Sequence, residues 1–439
     1  MAIACRLRSA YPVASTLSGG LDSSSVSCVA RNLLREQDNQ ASLLTIYADC
    51  GVPSTDEKNF VNTVLAQGGF KHHIAQVTSP ISSAQIVTPW IDQPVQMPTP
   101  AMLLAIIQSV QQQGARVMLT GHDGDTIVSH GQDYPHELIE LGELDYLEKL
   151  AETQVKNRKT GTDSSLAKGI ELELYKYALP YLKENTKGFN FKGYVKSLKL
   201  LSKVSKRWQF LTNKVLYLLM RGAYRNLQIR NAYQSLRNLR GSSWKSSNQN
   251  IEFDFAHQIN LGRLLQDEVE YQSAYLPSEY LNHYQGITSD NLLDSTEQVD
   301  GISAALGIEP RHPFLDKRLV ELCLAVPAHL KFCHGFGRGV MRRAMKDILP
   351  EDVRRRGSKV DFYGFIISEM ETDERSLIEG CLLEKNSELS RYLDTDALYR
   401  EYQDFSKSAA PWKSRRRRAR MIACAMFLSM WLRQSKDCA

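Results

Sequence analysis

The stretch from Val13 to Val26, V-A-S-T-L-S-G-G-L-D-S-S-S-V, constrains this chain more than any other. A short apolar run (Val13, Ala14, Leu17) breaks into Ser18-Gly19-Gly20, then Asp22-Ser23-Ser24-Ser25, then the helical spacing of Val26, Val29, Ala30, Leu33 and Leu34. That order spells a strand, a glycine turn and a helix N-terminus. Paired glycines let the backbone approach a ligand and adopt dihedrals closed to other residues. The first helical turn offers unpaired N–H groups and the positive end of the macrodipole, a setting for an anion such as a phosphate. The hydroxyls add donors, and the Asp22 carboxylate can hold Mg²⁺ against phosphate oxygens. An ordinary helix cap draws on the same residue types. The full S-G-G-L-D-S-S directly after a strand is more specific than a cap, and it has neither the spacing and lysine of the Walker loop nor the G-x-G-x-x-G fingerprint.

Downstream, the pattern alternates. Leu43–Ala48 reads as a buried strand, Pro53–Glu57 as a helix start followed by Phe60, Val61, Val64 and Leu65, and His72–Thr78 as a third strand. Pro98-Thr99-Pro100 opens a helix through Met102, Leu103, Ile106, Ile107 and Val110, and Ala115–Thr120 is a fourth strand. Strands alternating with helices of this length predict an α/β fold, a parallel sheet doubly wound with helices. Ligands of such sheets bind beyond the strand C-termini, where the opening loop lies. The fourth strand delivers a second polar turn there, Thr120-Gly121-His122-Asp123-Gly124-Asp125-Thr126. If the two turns converge, Asp22 and Asp125 form a carboxylate pair for Mg²⁺.

Composition rules out several classes. With 439 residues, 43% hydrophobic and 23% charged, the chain reads as globular and large enough for two lobes. Its longest apolar stretches are too short or interrupted to span a bilayer, and no signal peptide is visible. Eight cysteines without a C-x-x-C pair predict reduced thiols in a cytoplasmic protein. The net charge of +5 hides an asymmetry: residues 151–250 carry 20 Lys and Arg against 5 Asp and Glu. This basic, helically patterned region predicts an insert over 134–250, between an α/β core at 1–133 and a helical C-terminal part at 251–439. It could form a substrate mouth, a surface for an acidic partner or a membrane-surface helix, or be a solvated face.

Taken in order, six motifs share a pattern: S-G-G-L-D-S-S (18–24), D-E-K-N-F (56–60), D-Q-P-V (92–95), T-G-H-D-G-D (120–125), E-P-R-H-P-F-L-D (309–316) and L-P-E-D-V-R-R-R-G-S-K (349–359). The first resembles the loop of the ATP pyrophosphatases (adenine nucleotide α-hydrolase-like fold), which cleave ATP between its α and β phosphates. The full set resembles the synthetase domain of asparagine synthetases, a family that includes β-lactam synthetases and the cyclases of lasso peptides. The resemblance implies that Ser18, Gly19, Gly20, Asp22 and Ser23 hold the pyrophosphate of ATP. It implies adenosine contacts from Leu17, Ala48, Thr120 and Gly121, and Mg²⁺ on Asp22 and Asp125. Lys359 matches the family lysine that counters charge during amide formation, and Glu309 joins it as a catalytic candidate.

Three departures bear on substrate. Asparagine synthetases carry a glutaminase domain in front, with a nucleophilic cysteine right after the initiator methionine. Here residue 2 is alanine, Met1–Pro12 precede the first strand, and Cys5 is no substitute. His122 stands where asparagine synthetases have a glutamate and β-lactam synthetases a tyrosine, and an imidazole can act as a base near neutral pH. Thr126 replaces the family's usual glutamate. The expected activity is an ATP-dependent, AMP-forming amide ligase acting on a small-molecule or peptide carboxylate. Lasso-type isopeptide cyclisation is the preferred version, with a precursor-peptide partner. The alternative is asparagine synthesis from aspartate, with ammonia supplied by a separate protein. An RNA-modifying pyrophosphatase-loop enzyme and an inactive nucleotide-binding homologue are readings of another class. The motif at 309–316 speaks against nucleic acid, and intact Asp22, Asp125 and Lys359 speak against decay.

Overall fold

A computed structural model of the protein describes residues 1–95, 99–158, 169–174, 176–178, 250–261, 263, 278–357, 360–371, 375–383, 388–407 and 412–437. Most of the basic region and Lys359 lie outside the described residues.

Five strands form one sheet: β1 (Val13–Thr16), β2 (Leu43–Asp49), β3 (Phe70–Gln76), β4 (Val117–Leu119) and β5 (Glu309–Arg311). Their order is β3-β2-β1-β4-β5 and every pairing is parallel. Side chains alternate between faces along each strand, as the pleat requires. Ala14, Leu44, Ile46 and Met118 therefore enter one core with the helices Pro80–Val87, Thr99–Gln112 and Trp412–Asp437. Leu43, Tyr47 and Leu119 enter the other, with the helices Leu21–Gln37 and Lys58–Leu65. The predicted α/β fold with helices on both faces is thus what forms.

The fifth strand comes from far along the chain. Glu309-Pro310-Arg311 pairs with β4 in the register Val117↔Glu309 and Leu119↔Arg311. A proline is tolerated because β5 is an edge strand, where one side of the backbone needs no ladder partner. Residues 251–439 therefore complete the sheet begun by 1–133, and Met426 and Phe427 share a core with Ala14. The first and last segments share their cores.

The strand order also fixes the site. From β1 the chain winds outward through β2 and β3, then returns to place β4 on the other side of β1. Connections leaving β1 and β4 diverge, and the crevice at such a switch point is where ligands of open α/β sheets bind. Among the described residues, no helix is long and apolar enough to cross a membrane.

Candidate active site

A cavity of about 530 Å³ opens at this switch point. Thr16, Ser18, Gly20, Leu21, Asp22 and Ser23 line it from β1 and its loop, and Met118, Thr120, Gly121 and His122 from β4. The turns meet closely. A Cβ on Gly121 would lie 2.5 Å from the Ser23 nitrogen, and one on Gly124 would lie 2.7 Å from Asp22 Oδ1. Only glycine allows that approach, and the β4 turn carries it at both points of contact.

The β1 loop is held by its own serines. Ser23 Oγ accepts from the Ser18 backbone at 3.0 Å and pairs with Ser18 Oγ at 2.9 Å. Gly19 has φ +70°, and a Cβ there would stand 2.6 Å from Phe60 Cβ, so the loop packs directly on the helix Lys58–Leu65. Gly20 starts the long helix with extended backbone and no side-chain cap, leaving the helix N-terminus facing the cavity.

Two arginines absent from the expected set reach this loop. Arg338 Nη1 donates to both Asp22 carboxylate oxygens, at 2.6 and 2.5 Å. Arg356 pairs with Glu57 at 2.5 Å, stacks 4.1 Å above the Phe60 ring and donates to the Gly19 carbonyl at 3.2 Å. Both arginines and Glu57 line the cavity. Arg338 has φ +59° between two close-packed glycines, and its partner Asp22 lies 316 positions away in the chain.

At the other turn, His122 Nε2 lies 2.7 Å from Asp123 Oδ2 and 3.3 Å from Ser295 Oγ. The His312 ring is 5.2 Å away, its Nδ1 is 2.8 Å from Thr120 Oγ1, and its Nε2 faces Asp300 at 3.5 Å. Burial, and then the neighbouring His122, hold the His312 ring below the usual histidine range. Ser295 and Gln298 reach the wall from the helix Asp290–Ala305.

The sequence candidates separate accordingly. Ser18, Gly20, Asp22, Ser23, Thr120, Gly121 and His122 come together on the cavity wall. Gly19, within the same loop, packs on Phe60 and is not among the lining residues. Leu17 is buried in the core between the wall residues Thr16 and Ser18, and Ala48 sits on β2 away from the wall. Glu309 does not join the site. It starts β5, at the sheet edge opposite the C-terminal crevice, and its exposed side chain pairs with Arg311 at 2.8 Å. His312, three residues later in the chain, is the residue of that motif that reaches the cavity's turn. Lys359 lies outside the described residues, although Arg356, Val360 and Phe362 line the cavity.

Of the two carboxylates expected to hold Mg²⁺, Asp22 lines the cavity, whereas Asp125, on the helix Gly124–Val128, is not among the lining residues. Mg²⁺ takes one or two protein carboxylates and completes its shell with water and substrate phosphates. The missing Cβ of Gly124 seats the start of the helix Gly124–Val128, where Asp125 lies, against Asp22. In this structure Arg338 occupies the Asp22 oxygens.

Comparison with known proteins agrees with this architecture. A family model described as asparagine synthase matches residues 1–433. Over 93 residues the chain is 36% identical to "Asparagine synthetase [glutamine-hydrolyzing] 3" of Bacillus subtilis (strain 168). That match spans 21% of this chain and 14% of the relative. A sheet that closes two glycine turns over one crevice, and a family match running almost the full length of the chain, place it in the asparagine synthase family.

Proposed function

We propose that the protein is an ATP-dependent amide ligase that adenylates a carboxylate and passes the acyl group to an amine, releasing pyrophosphate and AMP. The observation that carries this reading is the placement of a phosphate-type loop and a histidine on one cavity wall. The loop from Ser18 to Ser23 and the N-terminus of the helix Leu21–Gln37 bind the phosphates of ATP. Arg338 and Arg356 supply positive charge beside that loop, where charge grows as pyrophosphate leaves. Asp22 and Asp125 would hold Mg²⁺, which when bound neutralises phosphate charge. Met102, Leu103, Ile106, Val299, Ile302 and Phe362 form an apolar wall that suits the adenine base and apolar parts of the substrate. His122 removes a proton from the attacking amine. Alignment of acyl and amine groups in one pocket accounts for much of the rate, since orientation can be worth roughly 7–11 kcal/mol.

The preferred substrate is a peptide carboxylate closed onto an amine as an isopeptide bond, supported by the apolar wall and by a histidine in place of the acidic residue of asparagine synthetases. Asparagine synthesis from aspartate and ammonia is the second reading, favoured by the similarity to the Bacillus protein. His122→Gln separates the half-reactions under either. It is expected to retain carboxylate-dependent ATP–pyrophosphate exchange while amide formation falls by roughly 10²–10⁴, the usual contribution of a positioned base. Equal loss of both activities would contradict the assignment.

A further inference from the structure

We propose that Asp123 is a positioning residue that fixes the tautomer of His122, holding the proton on Nε2 and leaving Nδ1 as the lone pair that receives the amine proton. The inference rests on the ligase reading above and adds which atom acts and what orients it.

Three observations carry it. Asp123 Oδ2 stands 2.7 Å from His122 Nε2, and an ionised carboxylate has no proton to give, so the ring nitrogen facing it must carry the hydrogen. The second ring contact, Ser295 Oγ at 3.3 Å, falls on the same nitrogen, and Ser295 is itself anchored to the Leu292 carbonyl at 3.1 Å. Asp123 also adopts φ 53° and ψ 18°, left-handed backbone that glycine takes without strain. It occupies the N-cap of the helix Gly124–Val128, where an aspartate ordinarily bonds the helix N–H groups, yet it makes no such bond. Its carboxylate, free of the capping role, is turned instead to His122 Nε2 and to Ser295 Oγ, which donates to Oδ2 at 3.5 Å. The groups facing His122 are Asp123, Ser295 and His312, with Asp300 behind His312.

In the step this serves, the amine nitrogen pair forms the C–N bond at the acyl carbon. The C–O bond to AMP breaks, with its electron pair leaving on AMP. The nitrogen's proton goes to His122 Nδ1.

Asp123→Gly tests the idea because glycine suits the left-handed backbone and removes only the carboxylate. Long-range ¹H–¹⁵N correlation spectra of the ¹⁵N-histidine-labelled full chain, with His122 assigned through His122→Gln, are expected to show a single Nε2–H tautomer. In Asp123→Gly both tautomers are expected, with a melting temperature at or above that of the parent. With the carboxylate that supports exchange and ammonium as the probe amine, the kinetic loss is expected in amide formation, at about 10² or more, rather than in exchange. A parent Nδ1–H tautomer, an unchanged tautomer in Asp123→Gly, or a variant that merely melts earlier would overturn the proposal. Absence of any carboxylate-dependent exchange in the parent would sink the ligase reading instead, and the spectra would still decide the tautomer.

Discussion

Asp22→Asn is expected to reduce carboxylate-dependent ATP–pyrophosphate exchange by about 10²–10³, the cost typical of deleting one preorganised electrostatic contact in a catalytic site. The substitution keeps the size of the side chain against Gly124 and so leaves the meeting of the two turns intact. It removes the charge that balances Arg338. Two effects then oppose each other. Freed positive charge on Arg338 attracts phosphate, which favours nucleotide binding without metal, whereas the hard oxygen ligand for Mg²⁺ is weakened. A neutral amide is the poorer Mg²⁺ ligand, and the proposed reaction must stabilise a departing pyrophosphate, so the metal term is expected to dominate turnover. Titration calorimetry separates the two: affinity for ATP in EDTA should hold or rise, while affinity for Mg·ATP should fall. Loss of both would mean that Asp22 acts through the fold.

The second large effect lies outside the cavity, in a buried polar cluster that braces the helix carrying Asp125. Lys331 is 1% exposed, and its Nζ is 2.8 Å from His283 Nδ1 and 3.9 Å from Glu279. His283 Nε2 bonds the Ile127 carbonyl at 2.8 Å, and Glu279 accepts from Ser129 Oγ at 2.5 Å and from the Asp133 backbone at 3.2 Å. These bonds fit a neutral His283 that donates at Nε2 and accepts from the lysine at Nδ1. Lys331→Met leaves the Glu279 carboxylate buried without its cation and is expected to cost about 3–5 kcal/mol in urea unfolding. Adding Glu279→Leu should recover part of that loss, because the orphaned charge is then gone.

The same cluster gives stability a pH dependence. Burial, then the Lys331 charge, push the His283 ring down to about 4. Its unfolded counterpart titrates near 6.5, so between these values the unfolded chain binds a proton that the folded one excludes. Stability is therefore present above about 6.5 and lost as pH falls toward 4, by about 3 kcal/mol for this group. Burial raises Glu279 above its usual range, which acts in the opposite direction where its titration overlaps that window. In Glu279→Gln the acid side of the stability curve should therefore steepen, a change that urea midpoints at stepped pH would detect.

Much of the site was legible because its determinants are local. Ser18–Ser23 and Thr120–Asp125 each follow an apolar strand and carry glycine where the backbone must come close, so pattern and chemistry sit in the same few residues. Arg338 was not legible, because its partner Asp22 is 316 positions away and an arginine between glycines states no partner by itself. Strand β5 was hidden for a different reason: three residues with a central proline read as a turn, and only the free edge beside β4 makes them a strand. The parallel register places Glu309 at the start of β5, away from the crevice, and brings His312, three residues on, to Thr120.

Product analysis tests the central claim most directly. The full chain is incubated with Mg²⁺, α-labelled ATP, ammonium and, in turn, aspartate and candidate precursor peptides, and the nucleotides are separated by chromatography. The expected result is AMP formed only with an accepted carboxylate, in equal amount to pyrophosphate and amide. Formation of ADP and inorganic phosphate, or AMP release independent of any carboxylate, would contradict an adenylating ligase.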